Sequence, residues 1–183
     1  MEEKKDCKKS EELLAEVYRN CQLALESISD ILPEIEDEPL KDEIVRQHEE
    51  YEKISARAAM LAKDKALEVK EPSVVKKAMM KGSVKMNTLT DNSRSHIADM
   101  MIRGTVMGLT SLKTSYGERP ENDDEEISAV TRDLIALEES FEAKLKEYQK
   151  SDFLIIFALE NLPLPACSRF GGRKAQIYLR KYT

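Results

Sequence analysis

The 183-residue chain has two imidazoles, His48 and His96, and three thiols, Cys7, Cys21 and Cys167. His48 lies four residues after Ile44 and three before Tyr51, and His96 lies three after Ser93 and four before Met100. Spacings of three and four put a side chain on one helix face, so both histidines fall on the apolar seams of predicted helices. If those helices run antiparallel about a turn near residue 70, the two histidines differ in depth by about four residues, or about 6 Å at 1.5 Å per residue. The same layer crosses helix one near Cys21 and helix four near Glu142. Imidazole, thiolate and carboxylate are competent ligands for Zn, Fe or Cu. His48, His96, Cys21 and Glu142 are therefore the candidate metal-ligating set, with Asp99 and Glu138 as further carboxylates. The competing expectation is a structural polar layer, each histidine bonded to a Ser, Thr or carbonyl; Thr88, Asp91, Ser95 and Asp99 supply partners. That expectation leads, so no cofactor is expected, and a transition metal is the alternative.

Other chemistry is sparse. The chain has no GxSxG, no GxxxxGK[ST], no HExxH and no CxxC, so the signatures of an acyl-transfer nucleophile, a phosphate cradle and a thiol or zinc centre are missing. Met79, Met80, Met86, Met100, Met101 and Met107 crowd one segment. Thioethers bind Cu(I), and His96 with Met100 has i, i+4 spacing, but a Met stripe is expected to be core filler. Lys4, Lys5, Lys8 and Lys9 surround Cys7, a charge pattern that favours a thiolate, but a lone cysteine near the terminus is expected to be incidental.

Four periodic segments must position these residues. The first spans about Ser10–Leu32, with Leu14, Val17, Cys21, Ala24, Ile28 and Ile31 on one face and Ser10 as N-cap. The second spans about Glu38–Leu67, with Leu40, Ile44, Tyr51, Ile54, Ala58 and Leu61 on its stripe, interrupted by Gln47 and His48. The third spans about Ser73–Tyr116, with Met100, Gly104, Met107 and Ser111 on the later part of its seam. The fourth spans about Asp123–Lys150, with Ile127, Val130, Leu134, Leu137, Phe141, Leu145 and Tyr148 as its stripe. Acids in its first turn and lysines in its last suit the helix dipole. The fold class expected is all-α: an antiparallel up-down four-helix bundle over residues 1–149.

Residues 150–183 differ. They hold six basic and two acidic residues and five of the ten aromatics, whereas residues 1–149 hold 23 basic and 33 acidic residues. They read as an irregular, compositionally distinct tail, either partly packed on the bundle or unrelated to it. FLIIFAL is too short to cross a membrane, and no other run approaches the roughly 20 residues required. With net charge -6, no nucleic-acid surface is expected. The N-terminus MEEKKDCKKS lacks the apolar run of a signal peptide, so the expected compartment is the cytoplasm. An odd number of distant cysteines makes no disulfide framework.

The helix lengths and order resemble the ferritin-like four-helix bundles over about residues 10–149. The central segment KMNTLTDNSRSHIADMMIRGTVMG looks closest to the third helix of small uncharacterised bacterial proteins of that class. The di-iron members use a Glu-x-x-His on each of two helices. Here Val45 and Ser93 stand three before the histidines, so the resemblance implies a fold and carries no site residues. The expected function is binding or assembly, through a protein partner or self-association, without a catalytic site. The alternative is a metal-binding bundle using His48 and His96.

Overall fold

A computed structural model describes residues 2–67, 69, 91–119 and 124–160, with side chains from residue 8 to 149 within those ranges. The described residues form four α-helices and no strand: α1 (Glu2–Ile31), α2 (Glu38–Asp64), α3 (Arg94–Gly117) and α4 (Glu125–Glu160), with a 3-10 turn at Leu32–Glu34 after α1. Met1–Gln149 make one compact unit; Lys150–Thr183 belong to a second.

Local chemistry sets the helix starts. Asp37 caps α2 by accepting from the Leu40 amide at 2.9 Å, with Pro39 in the first turn where its missing N–H costs nothing. Asp124 caps α4 by accepting from the amides of Glu126 and Ile127. The continuous third helix expected from Ser73 is broken. Residues 91–93 are non-helical, Ser93 is extended (φ -63, ψ 151), and Ser93 Oγ accepts from the His96 amide at 3.4 Å. Asp91 in turn accepts from the Ser93 amide at 2.8 Å. Asp, Asn and Ser side chains compete with the helix ladder for backbone donors, and three together favour a cap over helix interior. The part of that expected helix from Ser73 to Thr90 lies outside the described residues. At the other extreme, the α4 backbone continues to Glu160. The expected start of an irregular tail at residue 150 is therefore corrected: the backbone stays helical from residue 150 to Glu160.

The core unites the stripes. Leu14, Val17, Cys21, Ile28 and Ile31 from α1, Leu40, Ile44, Tyr51 and Ala58 from α2, Ile97 and Leu112 from α3, and Ile127, Val130, Leu134, Phe141 and Leu145 from α4 form one buried cluster. Each fully buried large side chain contributes roughly 1.5–3 kcal/mol. On α3 the expected seam holds at Met100, which packs against the core, and is off by one position from Gly104 onward. Gly104, Met107 and Ser111 face outward, while Ile97, Ala98, Leu109 and Leu112 are buried. This helix is apolar on several sides, so periodicity alone gave little contrast between adjacent rows.

Side-chain bonds fix which helix ends meet. The start of α2 and the start of α3 are joined by an Arg94–Asp37 ion pair and by Asn92 to Glu36. Tyr148 of α4 donates to the Pro39 carbonyl at 3.0 Å at the same end. At the opposite end Lys65 pairs with Asp124 at 2.6 Å and Glu126 at 2.9 Å, and Lys9 of α1 reaches the Glu118 carbonyl at the end of α3. Between them, Glu16 accepts from Ser111 and Ser115, Arg57 pairs with Asp133 at 2.5 Å, and Lys113 pairs with Glu139 at 2.6 Å. The helices α2 and α3 thus begin at one end, and with the expected helix interrupted before Arg94 the histidines do not share one depth. His48 lies deep in α2, whereas His96 lies in the first turn of α3.

Candidate functional site

The described interior carries one polar layer to which every helix contributes: Cys21 from α1, Tyr51 from α2, Thr105 from α3 and Glu138 from α4. Glu138 stands on the α4 stripe, four residues after Leu134 and three before Phe141, so the helix aims a carboxyl where a leucine would otherwise sit. It is 1% exposed. The Tyr51 hydroxyl donates to Glu138 Oε1 at 3.4 Å and also bonds Thr105. Glu138 Oε2 is buried and has no hydrogen-bond partner. Tyr51 packs on Phe141 with ring centroids 5.6 Å apart, and the Arg46 guanidinium lies 5.5 Å over the other ring's centroid while bonding Glu43. Gln47, 1% exposed, donates to Glu43 at 3.0 Å, and Gln22 donates to Ser55 at 2.8 Å, extending the polar network toward the rim.

Burial governs the chemistry of this layer. Removal from water pushes Glu138 up to about 8, against which the Tyr51 bond acts only partly. Burial, with the Glu138 charge beside it, pushes the Cys21 thiol up to about 12. The same two causes raise Tyr51 well above the ordinary phenol range. A thiol held in that state is a poor nucleophile at neutral pH. The layer can carry a proton on Glu138.

The four expected metal ligands go to different surroundings. Cys21 is fully buried beside Glu138. His48 is half-buried, its Nδ1 3.8 Å from Glu52 on its own helix. His96 Nδ1 lies 4.0 Å from Asp91, and its Nε2 is buried with no hydrogen-bond partner. Glu142 is bound to Lys146 at 2.6 Å, and Asp99 to Arg103 at 2.5 Å. Among the described residues, no three His, Cys, Asp or Glu side chains gather as a metal site would require. Sequence reasoning named Cys21 and Glu138 but tied them to the histidines. It missed Thr105, whose place on α3 the displaced register concealed.

The second feature is on the surface. The outward side of α3 bears a shallow depression of about 590 Å³ lined by Ile102, Arg103, Val106, Met107, Thr110 and Ser111. Met107 is 74% exposed and Val106 38%. Of the methionines expected in the core, Met100 and Met101 pack against it and Met107 does not; Met79, Met80 and Met86 lie outside the described residues. Gly104 opens on free space, whereas a Cβ at Gly108 would meet Asn20 Oδ1 at 2.7 Å, so Gly108 is what lets α3 approach α1 closely. None of the helices searched among the described residues is long and apolar enough to cross a membrane. No protein-family model, curated protein or solved structure matches this sequence.

Proposed function

We propose that this chain is a ferritin-like helical module without chemistry of its own, which self-associates through the outward face of α3. The order of helices supports a bundle in which α1 and α4 run one way and α2 and α3 the other. Lys65, Arg57, Tyr51 and Pro39 of the second helix and its ends meet Glu126, Asp133, Glu138 and Tyr148 in turn along the fourth. Glu16 likewise meets Ser111 and Ser115. A chain that leaves α2 at Lys65 and enters α3 at Ser93 has to connect opposite ends of such a bundle, and one long connection of that kind is what a ferritin-like reading requires.

The observation that carries the functional reading is Met107, a large apolar side chain three-quarters in water at the centre of an apolar strip. Grouped exposed apolar residues mark association surfaces. A second copy suits the strip because a twofold contact sets a surface against itself, so the surface must not repel its own charge. From Met100 to Lys113 the only charged residues are Arg103 and Lys113, and each is matched by a neighbour, Asp99 and Glu139. The strip is near neutral in a unit that is otherwise strongly acidic. Sedimentation velocity tests this. The protein should show a concentration-dependent dimer that Met107→Glu abolishes; a monomer at every concentration, or a dimer indifferent to Met107→Glu, would refute it.

A further inference from the structure

We propose that the interior layer of Cys21, Tyr51, Thr105 and Glu138 is a proton-sensitive latch: closed while the Glu138 carboxyl keeps its proton, and loosened when that proton is lost. The geometry carries the argument. Glu138 is 1% exposed and sits at the meeting of four helices, with only Tyr51 bonded to one oxygen and nothing bonded to the other. Ionised carboxylates in such places need a cation or several donors. The groups facing Glu138 supply neither. From α1 comes the Cys21 thiol, from α2 the Tyr51 phenol, and from α3 the uncharged Thr105, which bonds to that phenol. Cys21 and Tyr51 are acids themselves, and their ionisation would add negative charge. The cation on the adjacent turn, Arg46, stacks over Phe141 and is held by two bonds to Glu43. A neutral carboxyl is therefore compatible with the closed layer, and a carboxylate is not, unless water enters with it.

Opening must expose Cys21, which is fully buried when the layer is closed and so reports on the latch. In a Cys7→Ser, Cys167→Ser background, the rate of Cys21 labelling by N-ethylmaleimide is measured from pH 5 to pH 9 with and without Glu138→Gln. Taking the ratio of the two rates cancels the ordinary rise of thiol reactivity with pH. The ratio should increase up to about tenfold per pH unit, as one proton released on opening requires, and level off above about 8. A ratio independent of pH would overturn the proposal. Should Glu138→Gln fail to fold, carbon-13 NMR of the Glu138 carboxyl in the unaltered protein decides the matter. A titration midpoint near 8 supports the latch, and a midpoint in the ordinary glutamate range refutes it.

Discussion

Tyr51 and Glu138 are 87 positions apart in sequence and share one buried hydrogen bond, 3.4 Å from the phenol oxygen to Oε1, across the contact of α2 with α4. The bond joins a core aromatic to the one carboxyl set on the α4 stripe. Without it, both oxygens of Glu138 would be buried with no partner.

Tyr51→Phe keeps the ring against Phe141 and removes the donor. The expected loss is about 1–3 kcal/mol, the usual cost of leaving a buried polar group unsatisfied. Urea unfolding monitored by circular dichroism measures it. A change below about 0.5 kcal/mol would mean that the carboxyl already draws on water, and that the layer is wetter than its geometry implies.

Two of the three glycines of α3, Gly104 and Gly108, separate surface from interface. Gly104 sits in open space on a helix, so Gly104→Ala should stabilise by up to about 1 kcal/mol through helix propensity. Gly108→Ala brings the same propensity but places Cβ 2.7 Å from Asn20 Oδ1 and 3.2 Å from its Cγ. It should forfeit that gain or destabilise, and Asn20→Ala should restore the difference. Equal effects at both sites in thermal melts would show that α1 and α3 are farther apart than described.

These cases show what the sequence could reveal. The stripes of α1, α2 and α4 are legible because Leu14, Ile44 or Leu134 has charged neighbours on the opposite face, and contrast defines a face. The third helix offers no such contrast: Met100 and Met101, or Met107 and Gly108, differ little in polarity, and its register is decided by the fit of Gly108 against Asn20. Its start was hidden for a related reason, since the cap at Ser93 interrupts a run whose apolar spacing continues through it. The pairing of helix ends depends on Arg94 with Asp37 and Lys65 with Asp124, contacts between distant residues that periodicity does not encode. The depth match of His48 and His96 rested on one helix running unbroken from Ser73 through His96, and it fails at the Ser93 cap. Glu138 was recognisable as a carboxyl near the core, but only the packed structure puts it beside Cys21 and Tyr51.

Asp124 gives a prediction with a defined pH dependence. Burial raises its carboxyl, but Lys65 and the amides of Ile127 and Glu126 outweigh that and hold it below the ordinary aspartate value. A carboxyl depressed in the folded state stabilises at pH above the ordinary value and loses that contribution as pH falls through its own lower value. Asp124→Ala should cost about 1 kcal/mol near neutrality, as loss of an N-cap does. The cost should shrink below about pH 4, where the unaltered protein also loses the charge. A cost that is the same at acid and neutral pH would show that the carboxylate charge contributes nothing to the cap.

Disulfide trapping at position 107 reports whether two copies associate through α3. In a Cys7→Ser, Cys167→Ser background, Met107→Cys is compared with Met60→Cys, a methionine on α2 that is also well exposed, at 66%, and does not line the strip. A contact that sets the strip against itself brings the two copies of position 107 together. Mild oxidation should then convert the Met107→Cys protein to a covalent dimer and leave the Met60→Cys protein monomeric. Equal trapping at both positions, or none at 107, would refute association through α3.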